Sequence, residues 1–571
     1  MLRQIKILTL HKRCQIVENL TLPIFCRSSY VVVGALFAPS FLSAQSALEM
    51  ANHAIQQPVI DTKLAPAPTK KPIVETSAES AQPVPQTVGG GIFIGAISVE
   101  GAHNIESSAF SSALEPFVAK QLASDDMQRL CHALADVARQ QGYSFASAYI
   151  PPQELALGVL RVVVDEGMVN AVRVTGSSDK HLIATMNKLV GHAPTASETE
   201  RQILLASDIP GVALEKISFV RESGQGILLV RASETRVKGV VSVDNGGTSS
   251  LGPVRVSIAV DVDSLLVGGD VLTVAAVTTP TNPKELGFVA LKYALPIDAD
   301  GTVLSFSSAY GQTRPGGVLE QFDVRGRSID FGVSLSRPLL RNRKSSLTVS
   351  GGFDYLESSQ DILGLPLNDD HLATAWVTLS GSTDLFGGRL RSELTLTQGL
   401  PLFGATRLGD PLASRADGSA VFTKESFFAE WTGTVSGPIS MRLAARAQLA
   451  SGPLLSAQQI TFGGTGFGRA FETSTMSGDE GALGLAEVRS DINHPFKWID
   501  WAQPYVFVDG GKLRYIGDYV GGGALVSGGG GFRARIGKSL LSVESAFPIT
   551  ADPLETDGHK PRFNFQIAHT F

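Results

Sequence analysis

The residues most able to catalyse a reaction or bind a metal are scattered along this chain and form no known catalytic motif. The 571 residues contain neither the HExxH pattern of zinc hydrolases nor the GxSxG nucleophile elbow. The segment GFRARIGKS (531–539) fails as a phosphate-binding loop, because its first glycine stands one residue too early and the segment alternates like a strand. The ten histidines show no metal-ligand spacing. We therefore expect no catalytic residue, no metal site and no cofactor.

Cysteine chemistry is equally limited. Cys14 and Cys26 fall in the N-terminal leader, which leaves Cys131 as the one thiol of the mature protein. A single cysteine forms no intramolecular disulfide and cannot build a zinc or iron–sulfur site. Cys131 lies on the apolar stripe of a predicted helix (124–142), where a core position is the more common role. The net charge of −6 gives no reason to expect a nucleic-acid partner.

One carboxylate is distinguished by its place in a strand pattern. In PYVFVDGG (504–511), Tyr505, Phe507 and Asp509 share one face, opposite the neighbouring valines. If this strand belongs to a membrane barrel, Asp509 points into the lumen. A carboxylate on a half-enclosed wall needs a cationic partner, and a guanidinium can bind it with two hydrogen bonds. The elements that carry Asp509 therefore decide what it does.

The first 91 residues are predicted to be a targeting and tether region. Basic residues precede an apolar run at 30–44, followed by small residues suited to cleavage, so residues 1–45 are predicted to be a secretory signal with a long leader. Residues 46–57 are compatible with a short helix that ends at Pro58. Residues 58–91 are rich in Pro, Thr, Ser and Ala, and this composition predicts a flexible, partly extended linker.

Two similar small units are predicted to follow the linker, at 92–167 and 168–235. The segment AISVEG (96–101) recurs as AVRVTG (171–176), and each unit reads in the order β-α-α-β-β. Ser124 is predicted to cap the main helix of the first unit. The chain is therefore expected to carry a repeated α+β module before its last and largest part.

From about Val237 the chain consists of alternating segments separated by Gly-, Asp- and Asn-rich turns. In LRSELTLTQ (390–398) one face carries leucines and the other carries Arg, Glu and Thr, which is typical of an outer-membrane barrel strand. A soluble β-sandwich also alternates, but it would not bury so many Arg and Glu side chains. We predict a 16-stranded antiparallel transmembrane β-barrel over 236–571, with strands of about ten residues and connections of similar length.

The last segment, RFNFQIAHTF (562–571), supports the barrel prediction. Phe563, Phe565, Ile567 and Phe571 lie on one face of the predicted strand. A final strand that ends in an aromatic residue is what the barrel-assembly machinery recognises in outer-membrane proteins, so Phe571 is the predicted assembly signal. His569 stands where this pattern usually has an apolar residue.

Several motifs resemble one family of transporters. The stretch YIPPQELALGVLRVVVDEGMVNAVRVTG (149–176) resembles the end of the first POTRA module in two-partner secretion transporters of the haemolysin and filamentous-haemagglutinin type, and PPQ (151–153), Gly158 and EG (166–167) carry the likeness. Residues 243–274 look like the opening barrel hairpin of that family, including Asp244, Asn245, Gly252 and Asp270. SRPLLRNRKSSLTVSGGFDY (336–355) also reads as a mid-barrel hairpin of the family. The resemblance covers residues 46–571.

The most specific likeness lies at 463–488, which resembles the long sixth extracellular loop of the family. The family signature is V-R-G-F/Y followed by S-G-D-x-G. Here Gly468 and Ala470 replace the Val and Gly, whereas the remaining signature positions are kept as Arg469, Phe471, Ser477, Gly478, Asp479 and Gly481. The second half of the signature, F-x-D, is present as Phe507-Val508-Asp509. The resemblance implies that the loop folds into the lumen and that Arg469 pairs with Asp509, so exchanging the two charges should partly restore secretion.

The resemblance also implies a function. It predicts an outer-membrane transporter that secretes one large partner exoprotein through its barrel without nucleotide hydrolysis, and that holds its POTRA modules in the periplasm. The modules would capture the partner's amino-terminal secretion domain by strand addition, and residues 46–57 would plug the resting pore. The identity of the partner, and whether export activates it, stay open.

Three other functions compete with secretion as readings of the sequence. An assembly factor that inserts other β-barrels belongs to the same superfamily, but it generally has more POTRA modules and lacks the N-terminal helix and Pro-rich tether. A passive porin would lack the modules at 92–233. A barrel fused to an enzyme is not supported by any motif.

Overall fold

The computed structural model describes residues 73–76, 91–155, 158–517, 522–550 and 560–571. The predicted signal (1–45), the predicted plug helix (46–57) and most of the predicted linker (58–91) lie outside these ranges. Across the parts of the chain that are described, no helix is both long enough and apolar enough to cross a membrane.

The first module is a small α+β unit. After β1 (Ile73–Thr76), its elements are β2 (Ile92–Ile94), β3 (Ala96–Glu100), a 3₁₀ helix (Ser107–Phe110), α1 (Ser111–Leu114), β4 (Lys120–Leu122), α2 (Ser124–Gln140), β5 (Ser147–Tyr149) and β6 (Val159–Asp165). The sheet order is β3-β6-β5, and β2 pairs with β4. Leu130 and Leu134 of α2 pack on Leu160 and Val162 of β6, because the helix repeat puts one apolar stripe against the sheet.

The predicted cap of α2 was wrong by one residue. The helix begins at Ser124, so the cap position is Ala123, which has no side chain that can accept a hydrogen bond. Asp126 replaces that function, because its carboxylate accepts a hydrogen bond from the Ala123 N–H at 2.9 Å. An acidic side chain in the first turn also favours the positive end of the helix dipole.

The second module has the predicted order β-α-α-β-β, whereas the first module adds the β2–β4 pair to it. Its elements are β7 (Ala171–Thr175), α3 (Lys180–Asn187), α4 (Ala196–Ser207), β8 (Val212–Glu222) and β9 (Gln225–Glu234), and the sheet order is β1-β8-β9-β7. β1 runs parallel to β8, with Ile73 opposite Lys216 and Thr76 opposite Phe219. Four residues of the predicted flexible linker are therefore a strand, because β8 leaves one backbone edge open that an extended chain can complete.

The third part is a closed antiparallel barrel, which confirms the predicted fold class. Its strands are β10 (Val237–Asp244), β11 (Arg255–Asp263), β12 (Val271–Thr278), β13 (Leu286–Pro296), β14 (Val303–Thr313), β15 (Arg325–Arg341), β16 (Ser345–Ile362), β17 (Leu365–Leu385), β18 (Gly388–Leu400), β19 (Thr423–Ser436), β20 (Ile439–Ala450), β23 (Glu480–Ser490), β24 (Ile492–Phe496), β25 (Ile499–Arg514), β26 (Gly522–Ile536), β27 (Ser539–Pro548) and β28 (Arg562–Thr570). Two short strands between β20 and β23, β21 (Ile460–Phe462) and β22 (Met476–Gly478), are not part of the barrel wall. β23 and β24 both pair with β25 and are separated by a single residue, so they form one spanning strand. The barrel therefore has 16 spanning strands.

The expected even division into strands of about ten residues was wrong for part of the barrel. Strands β15, β16 and β17 have 17, 18 and 21 residues. A strand that crosses a membrane at the usual tilt needs about 9–11 residues. The three strands are longer because β15 continues as residues 337–341 past its pairing with β14, on the side of the modules, whereas β17 continues as residues 365–372 past its pairing with β18, on the opposite side. β16 pairs with both extensions.

Side chains alternate between the two faces of the wall as the sequence predicts. In β18, Leu394 and Leu396 are about half exposed on the outer surface, whereas Thr397 is buried inside. In β28, the apolar residues of RFNFQIAHTF lie on the outside, and His569 forms a hydrogen bond with Ser539 of β27 at 2.9 Å. The outer wall is therefore apolar and the inner wall polar, as a barrel in a membrane requires.

The barrel closes where β10 meets β28. Their pairing runs from Val240 opposite Thr570 to Asp244 opposite Gln566. Beyond this stretch the side-chain amide of Asn245 continues the ladder, since it donates to the Phe563 carbonyl at 2.6 Å and accepts from the Phe565 N–H at 2.8 Å. At the other end the Phe571 ring lies against Gly239, where an added Cβ would come within 2.4 Å of the ring.

The second module is fixed to the near rim of the barrel by polar contacts. Asp208, just after α4, accepts two hydrogen bonds from the Arg341 guanidinium, both at 2.7 Å. Asp179 caps α3 through the backbone N–H groups of His181 and Leu182, and also accepts from Ser264 of the β11–β12 turn. The modules therefore lie at the end of the barrel where its first strand, β10, begins and its last strand, β28, ends.

Candidate functional site: the loop inside the barrel

The longest structured connection of the barrel folds into its lumen. Residues 451–479, between β20 and β23, are here called the lid loop. Within it the short strands β21 (Ile460–Phe462) and β22 (Met476–Gly478) pair with each other. Phe462 and Phe471 are buried against Leu483 and Phe507 of the barrel wall. The lid loop is thus held as a packed structure inside the barrel.

Arg469 is the central charged residue of the lid loop. It is 3 % exposed, and its Nη1 lies 2.8 Å from the Glu487 carboxylate and 2.9 Å from the Glu544 carboxylate. Its guanidinium stacks on the Phe507 ring, with Cζ 4.2 Å from the ring centroid. One arginine of the lid loop therefore contacts β23, β25 and β27 together.

The structure brings Arg469 and Asp509 together, but through a different contact from the predicted two-bond pair. The Arg469 Nε is 3.8 Å from the Asp509 carboxylate, which is close enough for an ion pair but beyond hydrogen-bonding range. Asp509 instead accepts from the backbone N–H of Arg469 at 3.4 Å and from the Ser527 hydroxyl. Asp509 is 2 % exposed and the next residue on its strand, Val508, is 46 % exposed, so Asp509 does face the lumen. Asp509 therefore joins the lid backbone at Arg469 to Ser527 of β26, and Glu487 and Glu544 are the closer counter-charges of the Arg469 guanidinium.

Glu487 is the site residue that sequence reasoning missed. It has no exposed surface, and it accepts hydrogen bonds from Arg489 at 2.6 Å and from Arg533 at 2.8 Å, besides its contact with Arg469. A carboxylate between three guanidinium groups is strongly stabilised in its charged form. Glu487 lies in ALGLAEV (482–488), at a position where strand alternation turns its side chain toward the inner face of the barrel. This position was the one signal in the sequence that could have identified it.

A run of glycines in β26 makes room for the aromatic side chains beneath the arginines. Gly529 and Gly531 lie opposite Phe507 and Tyr505 on β25. A Cβ on Gly531 would lie 2.5 Å from the Tyr505 hydroxyl, and a Cβ on Gly529 would lie 3.0 Å from the Phe507 ring. Because these glycines carry no side chains, the Arg533 guanidinium can stack on the Tyr505 ring, 3.8 Å from its centroid.

The departure from the family signature at Gly468 has a steric reason. Gly468 has a φ of +83°, and a Cβ there would lie 2.6 Å from the Phe462 ring. A β-branched residue disfavours that conformation and has no space at this point. In this chain the turn before Arg469 therefore requires glycine where the family has valine.

The S-G-D-x-G residues lie at the base of the lid loop. Ser477 forms a hydrogen bond with the Tyr515 hydroxyl at 2.7 Å, and Asp479 is fully buried. Gly478 and Gly481 pack directly on β25, where added Cβ atoms would come within 2.8 Å of Arg514 and 2.3 Å of Leu513. These residues fix where the lid loop joins β23, at some distance along the chain from Arg469.

Beside the lid loop the lumen contains a cavity of about 600 Å³. Its lining includes Glu393 of β18, Lys424 of β19, and Arg442 and Arg446 of β20. Arg442 of β20 forms an ion pair with Glu430 of β19, its diagonal neighbour across the ladder, at 2.7 Å. The space left by the lid loop is therefore polar and carries charges of both signs.

The residues that carried the resemblance in the first module have structural roles. The Gln153 side chain donates to the Arg161 carbonyl and accepts from the Arg161 N–H, so it extends the sheet where β5 ends. Glu166 accepts from both the backbone and the side-chain nitrogen of Asn104, each at 2.7 Å. Gly167 has a φ of +86°. The PPQ and EG segments thus stabilise the first module, and their contacts identify no binding site for a partner.

The residues of the opening hairpin also have clear contacts. Asp244 accepts from Arg255 across the first ladder at 2.7 and 2.9 Å. Asp270 is fully buried and accepts from the backbone N–H groups of the β11–β12 turn and from the Tyr293 hydroxyl. Both residues therefore fix the geometry of the first strands next to the seam with β28.

Metal and thiol chemistry have little support in the described ranges, where no three His, Cys, Asp or Glu side chains are placed to hold a metal ion. Cys131 packs against the core of the first module, and burial raises the pKa of its thiol to about 11. The thiol is therefore protonated at neutral pH and is a poor nucleophile.

A family model described as haemolysin secretion/activation protein ShlB/FhaC/HecB matches residues 224–534, more than half of the chain, and a model of the ShlB-type POTRA domain matches residues 92–167. The heme/hemopexin transporter protein HuxB of Haemophilus influenzae is 24 % identical over 404 residues, which are 67 % of this chain and 68 % of HuxB. The outer membrane transporter CdiB of Escherichia coli is 24 % identical over 531 residues, which are 88 % of this chain and 83 % of CdiB.

Solved structures agree with the sequence comparisons. The structure of CdiB from Escherichia coli matches with a TM-score of 0.69 at 21 % identity, over 92 % of this chain and 98 % of CdiB. A structure of BamA from Haemophilus ducreyi lacking POTRA domains 1–3 matches less well, with a TM-score of 0.51 at 13 % identity, over 84 % of this chain and all of that one. The assembly-factor alternative is therefore not favoured. The chain belongs to the haemolysin secretion/activation protein family ShlB/FhaC/HecB, and it is a two-partner secretion transporter of the outer membrane with POTRA modules.

Proposed function

We propose that this transporter captures one large partner exoprotein in the periplasm and conducts it through its own barrel, with the lid loop as the gate. The observation that carries the proposal is the lid loop itself, which is folded inside a closed barrel and tied to three strands by Arg469. An element joined to the wall by a few charged contacts can leave as a unit when those contacts are exchanged. The lid loop would then clear a polar path through the lumen.

Capture would occur at the edge of β8 in the second module. This edge already holds a chain segment, since residues 73–76 pair with residues 216–219 of β8. An edge that accepts four residues of the transporter's own chain has the geometry to accept an extended segment of a partner. The partner's amino-terminal secretion domain would displace β1 and pair with the same backbone groups.

A disulfide across this edge tests the capture step. Glu75 lies opposite Ser218, so Glu75→Cys with Ser218→Cys, made in a Cys131→Ser background, should form a disulfide that holds β1 on β8. The oxidised protein should lose binding of the purified secretion domain and recover it after reduction, whereas either single cysteine should bind normally. Equal binding by the oxidised and reduced forms would exclude the β8 edge as the capture surface.

The remaining steps follow from the family and the chemistry of the chain. Transport is proposed to need no nucleotide and no enzymatic step, because the sequence contains no catalytic or phosphate-loop motif, and folding of the partner outside the cell would make the movement one-way. Residues 46–57 are proposed to plug the resting pore beside the lid loop. Lipid is proposed to surround the apolar outer wall, and the barrel-assembly machinery is the proposed partner of Phe571 during biogenesis.

Secretion itself is tested with a deletion strain. A gene for a large secreted β-helical protein next to that of the transporter would identify the partner. Deleting the transporter gene should remove that protein from the culture medium, and a plasmid copy should restore it. Normal secretion by the deletion strain would refute the proposal, and a general loss of other barrels from the outer membrane would instead indicate an assembly factor.

A further inference from the structure

Asp479 joins three loops at the extracellular end of the barrel. The side chain has no exposed surface. It accepts hydrogen bonds from the Leu454 N–H at 3.0 Å, from the Ile516 N–H at 2.8 Å and from the Arg415 guanidinium at 2.5 Å. Leu454 lies near the start of the lid loop, and Ile516 follows β25. Arg415 belongs to the loop of residues 401–422 between β18 and β19, here called the fifth loop.

Arg415, the charged partner of Asp479, is also buried. It is 4 % exposed, and besides Asp479 it donates to the Ile516 carbonyl at 2.6 Å and to the Asp417 carboxylate at 2.6 Å. Its guanidinium also stacks on Tyr515, 5.0 Å from the ring centroid. Because Tyr515 in turn bonds to Ser477, the arginine joins the fifth loop to the base of the lid loop through two separate routes.

Backbone contacts reinforce the same junction. Ser419 of the fifth loop forms an isolated β-bridge with Leu454, and the Ser456 N–H donates to the Ser414 hydroxyl at 3.0 Å. Leu454 and Leu455 are buried against Ala420 and Phe422. The fifth loop therefore covers the start of the lid loop, so the lid loop cannot swing outward while the fifth loop stays in place.

We propose that Arg415 and Asp479 form an exit latch, a second closing contact in series with the Arg469 anchor, and that the fifth loop must separate from the lid loop before a partner can pass. Two opposite charges that are both fully buried separate only when the loops open and water reaches both groups. The Arg469 anchor uses Glu487, Glu544 and Asp509, none of which contacts Arg415 or Asp479. The latch rests on the proposed secretion function and adds to it a positioning role for Arg415.

A reversible cross-link tests whether the fifth loop moves. Bridge partners such as Ser419 and Leu454 bring their Cα atoms to a distance that a disulfide can span. In a Cys131→Ser background, Ser419→Cys with Leu454→Cys should stop secretion of the partner when oxidised and restore it on reduction. Undiminished secretion by the oxidised form would overturn the latch, whereas failure of the wild type to secrete would overturn the proposed function instead.

Substitutions at the latch give an independent measurement. In planar bilayers, Arg415→Gln should raise the frequency of pore openings at least tenfold, and Arg415→Lys should have a smaller effect because it keeps the charge. Arg407→Gln, on the exposed part of the same loop, is the matched control and should behave like the wild type. Because the two contacts share no partner, Arg415→Gln and Arg469→Gln should multiply each other's effects. Openings unchanged by Arg415→Gln in a correctly folded barrel would overturn the proposal.

Discussion

Neutralising Arg469 and neutralising Asp509 are expected to have unequal effects on the lid loop. Arg469→Gln removes contacts at 2.8 and 2.9 Å with Glu487 and Glu544. Each charge-assisted contact contributes about 1.5–3 kcal/mol, and both carboxylates keep other donors, so we expect a loss of about 3 kcal/mol. The equilibrium between the docked and the released lid loop should therefore shift roughly 100-fold toward the released form.

Asp509→Asn should cost much less. The Arg469 Nε is already 3.8 Å away. The asparagine oxygen can still accept from the Arg469 N–H, and its NH2 group can donate to the Ser527 hydroxyl, which then accepts instead of donating. We expect a loss of about 1 kcal/mol, or less than tenfold. The charge exchange Arg469→Asp with Asp509→Arg, which a simple pair predicts to restore secretion partly, would place a carboxylate beside Glu487 and Glu544. We therefore now expect no rescue.

Release of the lid loop can be followed by cysteine labelling. Ser474 lies in the lid loop and is 1 % exposed, so Ser474→Cys in a Cys131→Ser background should react with a membrane-impermeant maleimide only when the loop leaves the lumen. Labelling on intact cells should be fastest for Arg469→Gln and only slightly raised for Asp509→Asn. Heat-modified mobility on gels controls for a folded barrel. Labelling of Asp509→Asn as fast as that of Arg469→Gln would refute the assignment of Glu487 and Glu544 as the main counter-charges.

Three further outcomes are expected. Gly239→Val should push the Phe571 ring off the seam and lower the temperature at which the barrel unfolds on gels, whereas Gly484→Val, with open space around it, should not. Gly531→Ala should cost about 1–3 kcal/mol by overpacking Tyr505, and it should speed maleimide labelling of the lid loop; an unchanged rate would contradict the role of the glycine run. Deleting residues 46–57 should raise single-channel conductance, and unchanged conductance would count against the plug.

Much of the architecture could be read from local patterns. The two-residue alternation in segments such as 390–398 predicts a wall with one apolar and one polar face, because each strand meets lipid on one side and water on the other. The terminal phenylalanine and the loop signature pointed to the same barrel. The repeat of AISVEG as AVRVTG located both modules, since a repeated unit repeats its strand and helix pattern.

Strand lengths could not be obtained in this way. An even division of the last 335 residues assumes equal strands, but β15 to β17 continue beyond the neighbouring ladders as long hairpins. How far a hairpin extends depends on the pairing that its neighbours offer. That pairing is a property of the closed sheet, which no single segment encodes.

The partners of the charged residues were likewise decided by tertiary structure. Alternation placed Asp509 in the lumen, but it could not show that Arg469 would lie closer to Glu487 and Glu544, the latter 75 residues further along the chain. Nor could it show that Arg415 would reach Asp479 from another loop, 64 residues away. A strand pattern fixes only the face that a side chain occupies, because that depends on its two neighbours in sequence. Which charges then meet across the lumen depends on the register of all 16 strands and on how the loops fold between them.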